Sequence, residues 1–287
     1  MIRSQRSAAS YRFFNGLNIG IIYFVLAIVA FFVIYPMVYI LSAAVTPGNT
    51  ISVNNVLPFS EGFTWGHFNH LFTNTNYLLW FRNTLIIALG TSLCTVVVSS
   101  LAAYAFSRFR FTFKRSLMVS LLILQIFPSF VGMIAMYIIL LRIGGLDTLW
   151  GLVLVYVAGN TPYNTWLVKS YMDTLPRSMD EAARIDGASN LYTFVKIILP
   201  MAKPIIVFLA IVSFTGPWMD FIFPKMVLRS PKMQTLALGL FAMVTDKKNE
   251  FTNFAAGALL VAVPFIAFFL AGQKVMVMSL GSAAVKE

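Results

Sequence analysis

The chain has 287 residues, of which 59% are hydrophobic and 11% charged, against about 45–50% apolar and about 25% charged in soluble domains. With a mean hydropathy of +0.81, a water-soluble fold has no way to hide so much apolar surface. The net charge of +11 does not mark a nucleic-acid binder, because the basic residues form no stripe with aromatic platforms and instead sit between apolar runs, where membrane topology signals belong.

Six apolar runs, at roughly 19–44, 83–106, 116–141, 148–170, 204–228 and 253–277, approach or exceed the about 20 residues a helix needs to cross hydrocarbon. They predict an all-α, polytopic membrane protein with six transmembrane helices. The division is a cytoplasmic segment 1–18, a transmembrane domain 19–279 and a tail 280–287. The first run follows Arg3, Arg6 and Arg12, and Ser42-Ala43-Ala44 imitates a cleavage site. Its length exceeds the about 7–15 residues of a cleaved signal core, so it reads as a retained helix.

An outer loop of about 45–82 follows, with turn residues at Pro47-Gly48-Asn49 and Pro58 and a short helix expected around Trp65–Phe72. His67 and His70 fall there at i, i+3, in a polar loop without a carboxylate or thiol nearby, which argues against a metal site. Cys94, the single cysteine, lies in the second run. It excludes a disulfide framework or a cysteine metal cluster and reads as a small lipid-buried or helix-packing residue. Prolines at 128, 162, 217 and 264 predict kinks in the last four runs. Fourteen of the 21 basic residues fall on the side of the N-terminus, so both termini are expected in the cytoplasm.

The longest cytoplasmic connection, about 171–203, is also the most polar. Ser178 is expected to cap a short helix, with Glu181 completing a capping box. Ala182, Ala183, Ile185 and Ala188 would form a small-residue face flanked by Asp180, Glu181, Arg184 and Asp186. Gly187 should end the helix, and a second stretch runs from Asn190 to Leu199-Pro200, before a membrane helix starts near Pro204. Such a knob suits a cleft in another protein.

Glu181-Ala182-Ala183, then Gly187, then Ile197-Ile198-Leu199-Pro200 reproduces at every defined position the EAA signature (EAA-x3-G-x9-I-x-L-P) of ABC importer permeases. The chain therefore resembles the permease (transmembrane) subunit of a binding-protein-dependent ABC importer, of the type I kind. Its span count, outer loop and tail (Gln273-Lys274 to Lys286) are similar to the MalG-like carbohydrate branch. Trp218-Met219-Asp220-Phe221-Ile222-Phe223-Pro224 is similar to a Trp-Asn-Asp/Glu-Phe-x-x-Pro segment of sugar permeases, with Met219 in place of Asn. The resemblance implies a second homologous permease, two ATP-binding subunits that hold ATP and Mg, an extracytoplasmic solute-binding protein and a sugar substrate, in a bacterial or archaeal cell membrane. It implies no cofactor on this chain. The segment Asp180, Glu181, Ala182, Ala183, Arg184, Asp186 and Gly187 would be the coupling helix that docks on the ATPase.

Polar residues inside membrane runs are costly and point to function. Gln125 in the third run, Asn160, Thr161, Tyr163 and Asn164 around Pro162 in the fourth, and Trp218 with Asp220 in the fifth are the candidate substrate path. Interhelical hydrogen bonding would explain the first five equally well. For Asp220, the competing expectation is an ion pair with Arg229 or Lys225. An ion-coupled secondary carrier would need charged or broken-helix midplane sites, of which Asp220 is a marginal instance. A non-sugar solute is the other alternative. A membrane enzyme is disfavoured because no catalytic constellation and no phosphate-binding Gly-x-x-x-x-Gly-Lys-Ser/Thr loop is present.

Overall fold

The computed structural model describes residues 2–49, 57–126, 129–245 and 250–284; among them there are α-helices, a π-helical turn and a 3-10 turn, and no strand. The reason is physical: in hydrocarbon each backbone N–H and C=O must find its partner within the segment, which a helix does. Among the described residues all six apolar runs are mainly helical. They lie in α1 (Ile2–Val45), α3 (Tyr77–Arg108), the pair α4 (Lys114–Ile126) and α5 (Ser129–Arg142), α6 (Leu149–Thr174), α10 (Lys203–Met219) and α13 (Phe251–Ala284). By length and composition, Ile19–Val45, Tyr77–Arg108 and Phe251–Val275 can each cross a membrane alone. Joining the broken pairs raises the number to five. The sixth, α6, has 26 residues, about 39 Å of helix, but Asn160, Thr161, Asn164, Thr165 and Lys169 make it the most polar.

Three boundaries depart from expectation. The third run is two helices, and Pro128, expected to kink it, lies outside the described residues, as do Lys247, Lys248 and the end of the tail. The fifth breaks at Asp220 rather than Pro217: Pro217 sits inside α10, while Asp220 turns extended and α11 (Ile222–Val227) follows. A ten-residue apolar helix, α12 (Leu236–Thr245), was not expected at all. It is too short to span, the length class of buried or re-entrant segments, and the run Leu236–Val244 carried that signal.

The chain forms two compact units. In the first, Met1–Thr73 with Met243–Leu259, the loop after α1 folds on hydrogen bonds. Ser42 Oγ accepts from Phe59 N–H at 2.6 Å, and the Val45 carbonyl from Thr64 N–H at 2.7 Å. Thr252 donates to the Gly48 carbonyl at 2.7 Å. The expected loop helix is α2 (Gly66–Asn74). His67 is buried, with its ring nitrogens 2.8 Å from Asn253 Oδ1 and 2.8 Å from the Thr46 carbonyl, so it cross-links the loop to α13. The loop does have a carboxylate close by, contrary to the sequence reading: Glu250 lies 3.9 Å from His70.

The second unit, Asn74–Ala242 with Leu260–Glu287, is built on α3. That helix packs most extensively on α6 and then on α10. Its buried face is a ladder of small side chains, Ala88, Thr91, Ser92, Thr95, Ser99, Ser100 and Ala103, which lets helix backbones approach where lipid supplies no hydrophobic drive. Ser92 Oγ donates to the Ala210 carbonyl at 2.8 Å. At the far end of α3, Asn83 Nδ2 donates to the carbonyls of Lys232 and Gln234, each at 2.9 Å, and Thr84 Oγ1 accepts from Leu236 N–H at 2.8 Å. These bonds fix the entry of α12. Asp147, at φ +57, receives the N–H groups of Arg229 and Ser230, both at 2.9 Å, and the Ser230 hydroxyl, closing the α5–α6 turn onto the strand of chain after α11.

Two outcomes follow. A Cβ on Gly239 of α12 would lie 2.2 Å from the Trp80 ring, so Gly239→Ala should cost about 1–3 kcal/mol by overpacking. In detergent it should lower the apparent melting temperature, whereas Gly216→Ala, with nothing within 4 Å, should not. For Asp147, burial raises the carboxyl pKa, but the bonds from Ser230 and Arg229 and the Arg229 charge outweigh it, leaving the net value below the usual range. Its contribution is therefore complete above the unfolded value of about 3.9 and is lost as pH falls through the lower folded value. Melting curves from pH 3 to pH 7 should show Asp147→Asn less stable than wild type at neutral pH and the gap closing below about pH 4.

Candidate functional site

After α6 the chain turns at Leu175, held extended as the residue before Pro176. Helix α7 (Ser178–Ile185) then begins, one residue earlier than expected. Its N-cap is Arg177, already in helical conformation at φ −69 and ψ −22 and making no side-chain cap bond. Ser178 is thus the first helical residue, and the expected capping box does not form. Asp180 and Glu181 in the first turn suit the positive end of the helix dipole.

The end of α7 follows the sequence. Gly187 adopts φ +79, its N–H bonds the Arg184 carbonyl at 3.1 Å, and Ala188 N–H bonds the Ala183 carbonyl at 2.9 Å. These are the two bonds of a Schellman stop, which glycine enters without steric cost. Ser189 then caps α8 (Asn190–Thr193) by accepting from Tyr192 N–H at 3.2 Å. A π-helical turn, Phe194–Ile198, precedes α9 (Leu199–Met201). Leu199 N–H reaches back five residues to Phe194, and Pro200 after it has no N–H to continue the i to i−4 ladder. The stretch Asn190–Met201 meets α10 at 82°, so it lies across the axis of the span it feeds.

The loop has an inner and an outer face. Ala183 is buried, and Phe194 and Ile198 of the π-helical turn join a core with Tyr104, Val168, Met172 and Leu209 that roots this second stretch of the loop on α3, α6 and α10. Outward stand Glu181, Ala182, Arg184, Asp186 and Gly187, with Ile185 at 86% exposure and Leu191 and Tyr192 beside it. One expected member is not on this surface. Asp180, read as a flank of the knob, is only 4% exposed and turns inward to Arg108 at 3.0 Å. Ala183 likewise points inward, because positions 180 and 183 share the buried side of the helix.

The polar path divides. Trp218 is 1% exposed, stacks on Phe214 and donates its indole N–H to the Val261 carbonyl at 3.1 Å, so it is a packing residue, not an aromatic platform. Asp220 accepts from the Tyr156 hydroxyl at 2.7 Å and from Ile222 N–H at 2.9 Å. The expected alternative, a pair with Arg229 or Lys225, gives way to this; Arg229 bonds Tyr137 at 2.7 Å. Asn164 is buried, Asn160 half-buried, and Gln125 and Tyr163 exposed. An apolar groove of about 910 Å³ between α3 and α6 is lined by Gly90, Cys94, Trp150 and Val153, with Thr161 alone of the Pro162 cluster. The residue that sequence reasoning assigned only to charge counting is Arg108. Its position at the end of an apolar run was the available signal.

Because Gly187 has open space around it, its constraint is the backbone alone. Gly187→Ala should cost about 1–2 kcal/mol and speed amide exchange over Gly187–Asn190, while Gly187→Asn, which tolerates the left-handed region, should lose less.

Comparison with known proteins agrees with this architecture. Residues 95–277 match the family described as binding-protein-dependent transport system inner membrane component. The maltodextrin transport system permease protein MdxG of Bacillus subtilis is 39% identical over 92% of this chain and 95% of its own length. The galactooligosaccharides transport system permease protein GanQ of the same organism is 37% identical over 92% and 94%. Among solved structures, a bacterial ABC transporter for import of the acidic polysaccharide alginate superposes with a TM-score of 0.76 at 22% identity, covering 89% of this chain and 95% of that one. That likeness shows the fold. With nearly two thirds of its length inside the family match and close relatives along almost all of it, the chain belongs to the binding-protein-dependent transport system inner membrane components.

Proposed function

We propose that the chain is the permease subunit of an ATP-driven importer for oligosaccharides, and that the outward face of α7 and α8 is where ATP-binding subunits engage. The observation that carries this reading is the exposed knob of Glu181, Ala182, Arg184, Ile185 and Asp186, stopped by Gly187 and held from within by the buried Ala183 and by Asp180 against Arg108 of α3. The relatives named for maltodextrin and galactooligosaccharide transport support a neutral sugar chain as cargo. A second permease completes the path, a solute-binding protein delivers cargo outside, and two ATPase subunits sit below. The charge distribution supports cytoplasmic termini.

The mechanism is rigid-body alternating access. ATP and Mg stay on the partner chains; their closure makes different contacts with the two permease states and so shifts the population between them. A short helix with a fixed stop and a buried root passes on such a displacement, whereas a flexible loop would absorb it.

Expression with the neighbouring operon products tests this. Wild type should bring down an ATPase whose activity rises with sugar-loaded binding protein. Glu181→Lys and Ile185→Asp should each weaken that capture by about 2 kcal/mol or more, roughly 30-fold. A chain that purifies alone and moves solute in vesicles without ATP would instead be a secondary carrier.

A further inference from the structure

The root of the coupling loop is electrostatic as well as apolar. Arg108, the last residue of α3, and Asp180, in the first turn of α7, have side chains only 3% and 6% exposed and stand 3.0 Å apart. The same guanidinium donates to the Leu175 carbonyl, at the end of α6, at 3.2 Å. Its neighbour Ser107 donates to Asp173 Oδ1 of α6 at 2.7 Å, and Lys169 holds the other Asp173 oxygen at 2.5 Å. Arg177, at the start of α7, donates to the Ser107 carbonyl at 3.3 Å. Two adjacent residues thus gather the end of α3, the end of α6 and the start of the coupling helix.

A desolvated ion pair is a poor source of net stability, since removing two charges from water costs about what their attraction returns. What such a pair supplies is a fixed geometry. This one is also incomplete: the contact is Coulombic, and among the described residues neither Asp180 oxygen nor Arg108 Nε has an in-line hydrogen bond.

We propose that Arg108 is a positioning residue for transport: its ion pair with Asp180 clamps the coupling helix to α3 and α6, so that movement of the knob becomes movement of the transmembrane bundle. Asp180 belongs to this clamp and not to the ATPase-docking surface. The inference rests on the importer reading above. The small-residue ladder of α3 against α6 and α10 carries the displacement onward, because close-packed helices shift as bodies.

The test is the ratio of sugar imported to ATP hydrolysed, in proteoliposomes holding the full complex with loaded binding protein. Loss of folded complex lowers both rates together and leaves the ratio unchanged; a broken clamp lowers the ratio alone. Arg108→Gln should reduce it about tenfold, within the range of site-to-site coupling, while the ATPase still co-purifies. Arg108→Lys, which keeps the charge, should recover most of it. If Arg108→Gln assembles poorly because Asp180 is left unpaired, Arg108→Gln with Asp180→Asn removes the stranded charge. It should restore yield but not the ratio. An unchanged ratio in either neutral variant overturns the clamp and leaves the importer reading intact. Absence of ATP-dependent import by the wild-type complex overturns both.

Discussion

An unpaired backbone N–H or C=O is costly in hydrocarbon, and that cost makes the fold helical. Small side chains on one helix then decide which helix lies at the centre. α3 alternates an apolar outer surface with a buried ladder of threonine, serine and alanine. The ladder lets α6 and α10 approach closely, so α3 becomes the spine of its unit. Where α3 leaves the apolar zone its side chains change character: Asn83 and Thr84 at one end hold α12, and Ser107 and Arg108 at the other hold the loop.

The loop gains its rigidity from three kinds of constraint that do not depend on one another. Backbone geometry at Gly187 stops α7, a π-helical turn ahead of Pro200 leads into the 82° bend, and a core around Tyr104 and Phe194 anchors the second piece. The charged clamp adds direction to that anchorage. What stays outside, Ile185 above all, is what a soluble partner could grip.

The polar residues of the spans separate into two roles. Trp218, Asp220 and Tyr156 satisfy each other, the backbone or a neighbouring helix, and so keep the break after α10 in one conformation. Tyr163 and Gln125 are exposed on this chain. A translocation path shared with a second permease would be lined by residues of that exposed kind, because a single subunit can present only one of its walls.

Sequence alone determined the properties that local chemistry decides. Run length and hydropathy set the helical membrane class, the EAA signature set the family, and Gly187 and Pro200 set where the loop helices stop or distort, since each acts through its own backbone. The tertiary structure decided which polar residues face which neighbours. Asp180 was indistinguishable in sequence from Glu181 beside it, yet one turns to Arg108, 72 positions earlier, and the other to solvent. Trp218 read as part of the substrate path because nothing local revealed the Val261 carbonyl waiting for its N–H, although Phe214, stacked on it from four residues back on the same helix, was legible in the spacing. Such pairings depend on how helices rotate and slide against one another, and only the packed bundle fixes that.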